Sequence, residues 1–223
     1  MGIAIVGAGG HGRVALECME LSGALDAEVV FFDDRWSEID AMDGVEVLGP
    51  VSVLASDDRY RNVFVGIGDN RDRLRITNML VSAGKTLLTV VHPKTMISPR
   101  SALGVGTLAV AGTVVNRDAR VGNSVILNTS CTVGHDCVVE DFAQISPGVN
   151  LGGAAVIERG AFLGIGVKVG PEARVGAWSV VGAGAVVLRD LPPQTFCIGI
   201  PARAVRPLRP DELPDTTSQK TGR

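Results

Sequence analysis

From Ile97 to Val187 an apolar residue returns at every sixth position without a break. The series is Ile97, Leu103, Ala109, Val115, Val121, Leu127, Val133, Val139, Ile145, Leu151, Ile157, Leu163, Val169, Val175, Val181 and Val187. All sixteen positions are apolar and fifteen are Val, Ile or Leu; at 46% hydrophobic content, such a run has odds of roughly a few per million in a given register. The residue four places further on is small or compact, from Ser101 and Thr107 through Cys131 and Cys137 to Ala185. A glycine often follows directly, as at Gly134, Gly152, Gly164, Gly170 and Gly182. A period of six fits neither an amphipathic helix nor a hairpin meander, and predicts a parallel β-helix. With three hexads to a triangular coil, Ile97, Val115, Val133, Leu151, Val169 and Val187 stack in one column, giving about five coils with no inserted loop. Such a stack satisfies its backbone from coil to coil, so only its ends need covering. The N-terminal region is expected to cover one end and the chain from Leu191 onwards the other.

Before the repeat the pattern changes. Ile3–Val6, Val29–Phe32, Val63–Ile67 and Leu87–Val91 are short apolar runs that read as strands, and Arg13–Leu21 and Arg71–Ser82 carry helical periodicity. Strands alternating with helices predict a parallel α/β sheet, Rossmann-like but short for a full dinucleotide fold. Gly7, Gly9 and Gly12 have the G-x-G-x-x-G spacing between the first strand and helix, where backbone N–H groups can meet a phosphate. Asp33, at the end of the second strand and followed by Asp34, stands where a carboxylate can accept from a ribose hydroxyl. Gly66-Ile67-Gly68-Asp69-Asn70 would lie at the same sheet edge. The residues alone also allow a ligand-free glycine turn or an NAD-binding oxidoreductase domain, although half a dinucleotide fold suits a mononucleotide better. His11 reads equally as a ligand donor or a structural cap.

Composition narrows the field. The 223 residues carry 21 basic and 24 acidic side chains, a net charge of −3 that suggests neither a nucleic-acid nor a membrane-surface protein. No apolar run approaches the roughly 18 residues of a membrane span. The N-terminus reads as a first strand rather than a signal peptide. Cys18, Cys131, Cys137 and Cys197 have no zinc-type spacing; they read as buried thiols, and a reducing cytoplasm is expected. From Pro207 the chain turns polar and proline-containing and is expected to be a flexible tail.

His135 is the one histidine within the repeat. It is third in its hexad, close to a corner, with Arg117 at the equivalent place on one neighbouring coil and Gly153 on the other. An unperturbed imidazole, with a pKa of about 6.5, can take a proton at neutral pH, and an adjacent carboxylate can orient it. Asp136 follows directly, but consecutive side chains on a flat strand point oppositely, so it reaches His135 only if a corner intervenes. The Gly153 N–H is a candidate oxyanion donor.

The hexapeptide solenoid resembles left-handed β-helix acyltransferases, and residues 1 to about 206 resemble their bacterial sugar-acetyltransferase branch, which includes sialic-acid O-acetyltransferases and N-acetyltransferases of nucleotide-linked 4-amino sugars. The motifs that carry this are GAGGHG from Gly7 to Gly12, Asp33-Asp34, Gly66–Asn70, His92-Pro93, Gly134-His135-Asp136-Cys137, and the tail Leu191-Pro192-Pro193 to Gly199-Ile200-Pro201-Ala202-Arg203. The resemblance implies a left-handed turn, where crossover rules alone favour a right-handed one. It divides the chain into a Rossmann-like nucleotide-sugar domain (1–92), a left-handed β-helix acyltransferase domain (93–206) and the tail (207–223). It further implies a homotrimer with active sites between subunits and acetyl-CoA as co-substrate, without metal. His135 matches the general base, Asp136 the acidic residue that orients it (glutamate in some members), and Gly153 the amide facing the acetyl carbonyl. Gly164, Ile165, Lys168 and Gly182, with Gly153, match the coenzyme A groove; Gly9, Gly10, His11, Asp33, Asp34, Gly68 and Asn70 match the segments that hold the nucleotide sugar. The expected activity is N-acetylation of a nucleotide-linked amino sugar in glycan or surface-polysaccharide biosynthesis. The alternatives are O-acetylation of a sugar hydroxyl, a zinc-dependent hydratase, for which three histidines in the whole chain are few, and a non-catalytic nucleotide-sugar-binding protein.

Overall fold

The structure, a computed structural model, describes residues 2–23, 27–39 and 41–214. Strands β1 (Ile3–Val6), β2 (Val29–Phe32), β3 (Ala41–Met42), β4 (Val45–Gly49), β5 (Asn62–Val65) and β6 (Thr86–Leu87) form one sheet in the order β3-β4-β2-β1-β5-β6. Only the β3–β4 pair is antiparallel. The period of two sends Ile5, Phe31 and Phe64 to one side, against Ala15, Leu16 and Met19 of α1 (Gly10–Leu21). Ala4, Val6, Val30, Phe32, Val63 and Val65 face the other side, with Val51 and Leu54 of α2 (Val51–Leu54) and Ile76 and Leu80 of α3 (Asn70–Ser82). The order reverses between β1 and β5, so the crevice at their carboxyl ends is a topological switch point. Helix α1 starts at Gly10, three residues before the predicted Arg13: the glycine turn itself forms the first helical turn, where N–H groups have no intrahelical partner anyway.

The expected single strand Leu87–Val91 is two strands in two different sheets. Thr86–Leu87 pairs with Asn62–Val63 in the α/β sheet, whereas β7 (Val90–Val91) pairs with Leu108–Ala109. From β7 to β23 (Val186–Val187) a two-residue strand recurs every six residues, and these stack as three parallel sheets that form the faces of a prism. Face one runs through β7, β10, β13, β16, β19 and β22, face two through β8, β11, β14, β17, β20 and β23, and face three through β9, β12, β15, β18 and β21. The column from Ile97 to Val187 pairs residue for residue on face two, as the period requires. The inward hexad residues and their small partners, from Val115 and Ala119 to Ala185 and Val187, make one continuous core.

The N-terminal domain does not cover an end of this prism. It lies along face one, where the outward side chains Leu108, Ile126 and Gln144 are buried and Leu108 and Val110 share a core with Ile5, Ala15 and Phe64. The far end is closed as expected. Leu191 bridges to Val175, β24 (Thr195–Gly199) extends face one, and β25 (Ala202–Pro207) returns antiparallel to it. Beyond Pro207 the chain still packs: Leu208 is buried, and Glu212 receives bonds from Arg206 and from the Arg209 N–H. Those bonds hold the Glu212 carboxyl down at about 2. The rest of the expected tail, 215–223, lies outside the described residues.

All four cysteines are buried and free, and burial pushes the Cys131 thiol up to about 12, so it is an inert core group. Among the described residues no helix is long and apolar enough to cross a membrane, and no three His, Cys, Asp or Glu side chains are grouped to hold a metal ion.

Candidate active site

His135 stands at the corner between faces two and three, on the loop after β14 (Thr132–Val133). In the four middle hexads at this corner the fourth residue adopts a left-handed conformation: Asp118, Asp136, Ala154 and Glu172 have φ of 59°, 59°, 57° and 61°. That turn is the corner Asp136 needs. It swings the carboxylate back beside the preceding side chain, and the His135 Nδ1–H donates to Asp136 Oδ2 at 2.8 Å. A carboxylate on Nδ1 fixes the tautomer that leaves the Nε2 lone pair free. The aspartate arm is long enough for this.

Gly153, one coil further on, has no side chain because the imidazole occupies the place of one. A Cβ there would lie 2.5 Å from both Cε1 and Nε2 of His135. The Gly153 carbonyl accepts from the Glu172 N–H, while among the described residues its own N–H joins none of the backbone bonds that tie the coils together. The corner thus presents a free imidazole nitrogen and a free amide side by side. Gly153→Ala should lower kcat by about 10- to 100-fold by displacing the ring, with acetyl-CoA binding near normal. Steady-state kinetics and calorimetry on the folded variant check this.

The matched coenzyme A residues lie on face two and its other edge. Gly164 and Gly182 occupy one column at the corner between faces one and two. Both serve coil packing, since a Cβ on either would meet the next layer at 2.7 Å. Ile165, beside them, is 64% exposed despite being apolar and is the member of the set free to contact a ligand. Lys168 projects from face two, where Nζ donates to the Gly148 carbonyl (2.9 Å) and to Asn150 Oδ1. Asn150 in turn donates to Thr132 Oγ1 at 2.8 Å. The set brackets the face that ends at His135.

The nucleotide-sugar residues gather at the carboxyl edge of the α/β sheet, but not all are free to bind. A Cβ at Gly12 would lie 1.9 Å from the Gly7 carbonyl oxygen, so that glycine packs helix against strand. Gly9 and Gly10 face open space. Asp33 does not offer its carboxylate outward: it accepts from the Ala8 N–H (2.8 Å) and from the backbone and side chain of Arg35. These bonds outweigh burial and hold its pKa below the usual range. It braces the glycine turn. Asp34 accepts the Val51 N–H at 3.0 Å. Between them and β5 opens a recess of about 260 Å³, lined by Gly7, Asp34, Ile67, Asp72 and Arg75 among others. The His11 ring packs against Gly68; burial and the nearby Arg73 lower its pKa, and its Nε2 is buried without a partner. Asn70 is turned the other way. It is buried, and its amide donates to the Gly160 carbonyl of the prism at 3.0 Å.

The sequence reading missed Arg73, which lies behind this edge and is 1% exposed. With Asn70 and Thr77 it forms a polar stripe along α3, a pattern that reads as a solvent face.

Residues 2–80 match the PglD N-terminal domain, and residues 154–189 match the bacterial transferase hexapeptide family (six repeats). The chain is 27% identical to the GDP-perosamine N-acetyltransferase of Escherichia coli O157:H7, over 87% of this chain and 81% of that one. It is also similar to the crystal structure of PerB from Caulobacter crescentus in complex with CoA and GDP-perosamine: 35% identity, TM-score 0.86, covering 92% of this chain and 97% of the other. The acetyltransferase domain of PglB from Neisseria gonorrhoeae, in complex with acetyl coenzyme A, superposes with a TM-score of 0.86 at 34% identity over 91% of this chain and 98% of that one.

Proposed function

The chain belongs to the left-handed β-helix sugar acetyltransferases, and from that premise we propose that it transfers the acetyl group of acetyl-CoA to the amino group of a nucleotide-linked amino sugar, with His135 as general base. The observation that carries the role of His135 is the corner geometry: Nδ1–H held by Asp136 and the Nε2 edge poised over Gly153. In this reading the sugar nitrogen attacks the thioester carbonyl and a C–N bond forms. Its proton passes to Nε2, and the Gly153 N–H donates to the oxygen that gains negative charge. Collapse of that intermediate breaks the C–S bond; the sulfur leaves as the thiol, taking the proton that His135 carried. Ile165 and Lys168 hold coenzyme A along face two. The recess at the carboxyl ends of β1, β2 and β5 holds the nucleotide sugar, whose phosphates reach along the glycine turn from Gly7 to Gly9, Gly10 and the first-turn N–H groups of α1.

We infer a homotrimer, and the separation of these parts in one copy supports it. The N-terminal domain lies on face one, and His135 stands at the corner opposite that face. Its side chain is 69% exposed and that of Asp136 is 62% exposed, so one copy does not exclude water from its own base. An acceptor held by one copy therefore meets the base of a neighbour. We infer a cytoplasmic location, where acetyl-CoA and nucleotide-linked sugars are both at hand.

The test is to incubate the protein with acetyl-CoA and GDP-, UDP- or dTDP-linked amino sugars, following free thiol and product mass. The expected result is thiol release with one amino sugar and an N-acetyl product. Release only with a hydroxyl acceptor would replace the N-acetyl reading by an O-acetyl one, and no release with any acceptor would overturn both.

A further inference from the structure

The Arg73 guanidinium is a buried cation with no carboxylate partner among the described residues, and every one of its N–H groups is used. Nε donates to the Ser124 carbonyl (2.9 Å), and Nη1 to the carbonyls of Ile67 (2.9 Å) and Gly68 (3.2 Å). Nη2 donates to Asn70 Oδ1 (2.7 Å) and the Phe142 carbonyl (2.8 Å). Asn70 passes the connection on, donating to the Gly160 carbonyl. Ser124, Phe142 and Gly160 are eighteen residues apart. They are the same corner position on three successive coils, each with a left-handed φ of 51°, 61° and 66°. The turn leaves a ladder of corner carbonyls along the edge between faces three and one, and one arginine and one asparagine read it. Burial pulls the guanidinium down to about 9, a measure of how dry this junction is.

The partners on the other side are the Ile67 and Gly68 carbonyls. They belong to the loop between β5 and α3, and Ile67 lines the recess at the switch point. Arg73 therefore joins the acceptor loop directly to the prism of its own copy.

We propose that Arg73, through Asn70, is a positioning residue for the acceptor: it pins the 66–70 loop to three coils and so sets the register between the nucleotide-sugar recess and the acyl-transfer corners of the assembly. Desolvating an arginine to bond only carbonyls is costly, and an apolar stripe would bury the same surface more cheaply. The planar fork supplies direction instead, holding four carbonyls and an amide oxygen in fixed geometry. Lysine has the charge but not the fork.

This proposal rests on the acetyltransferase reading for its kinetic consequence but not for its structural one, and two measurements keep the two apart. In Arg73→Lys, hydrogen–deuterium exchange at the amides of residues 66–71 should accelerate, while the face-two strands exchange as in wild type. In the same protein, KM for the nucleotide sugar should rise by about 10- to 100-fold, with KM for acetyl-CoA within about twofold of wild type. Asn70→Ala, which removes the third rung and one of the five Arg73 bonds, should move both readouts in the same direction by less, and it carries the test if Arg73→Lys does not fold. Unchanged exchange at 66–71 would overturn the proposal. So would a lowered Tm with unchanged KM for the nucleotide sugar, which would mean the junction serves stability alone. If wild-type protein acetylates no amino sugar, the acetyltransferase reading falls and the exchange data alone decide whether Arg73 pins the loop.

Discussion

His135→Ala is expected to lower kcat for acetyl transfer to the amino sugar by about 10²- to 10⁴-fold, or about 3–5 kcal/mol of barrier. The amine must lose a proton as the C–N bond forms, and in the proposed mechanism the free edge of His135 accepts it. Its Nδ1–H is committed to Asp136, which leaves the Nε2 lone pair as the base. The loss should fall on kcat. In the proposed site acetyl-CoA is held along face two by other residues, so its Kd, measured by calorimetry, should stay within about threefold of wild type. The side chain is exposed and lies outside the prism core, so the variant should also keep the wild-type Tm. Near-normal turnover by His135→Ala with the true acceptor would remove His135 from the chemistry.

The prism could be read from the sequence because its physics is periodic. Each coil buries the same kind of side chain at the same place, and the columns that follow from a spacing of eighteen are the columns observed. The corner pairing of His135 with Gly153 followed from the same arithmetic. Its start was missed: Val91 lies six residues before Ile97 and extends the series, yet the predicted strand Leu87–Val91, apolar except at Thr89, hides the point at which the chain leaves one sheet for another.

The docking of the two domains left a quieter signal in the residues just before each inward position. On face one these are Leu108, Ile126, Gln144, Phe162 and Val180, large and mostly apolar, whereas face three offers Ala102, Arg120, Val138, Val156 and Arg174. A column of large apolar side chains pointing out of a prism needs a cover, and the N-terminal domain is that cover. The hexad core drew attention to the ends instead.

The glycine turn and the Asp33-Asp34 pair were legible as neighbours at the carboxyl edge of the α/β sheet, but their bonding was not. Asp33 fits the spacing for a ribose contact, but spacing does not show that Arg35 and the Ala8 N–H already occupy its carboxylate. Asn70 and Arg73 were harder still. A polar stripe on a helix is normally the wet face; here it is dry because the partners are backbone carbonyls at positive-φ corners, which leave no mark on the hydrophobic pattern.

The central claim is that one active site is built from two copies, with the base on one prism and the acceptor in the domain carried by another. It is tested by mixing two inactive proteins. His135→Ala lacks the base. Gly9→Leu keeps it but fills the open space beside the glycine turn, and since Gly9 has an ordinary extended backbone (φ −114°) and nothing within 4 Å of a Cβ, the fold should tolerate the change. Each variant alone should be nearly inert. Co-expressed in equal amounts and assembled at random into trimers, they should recover about a quarter of wild-type activity, because in that fraction of sites an intact base meets an intact acceptor domain. Activity no greater than the sum of the two variants assayed separately, from trimers verified by native mass spectrometry to be mixed, would contradict the account and place base and acceptor in the same chain.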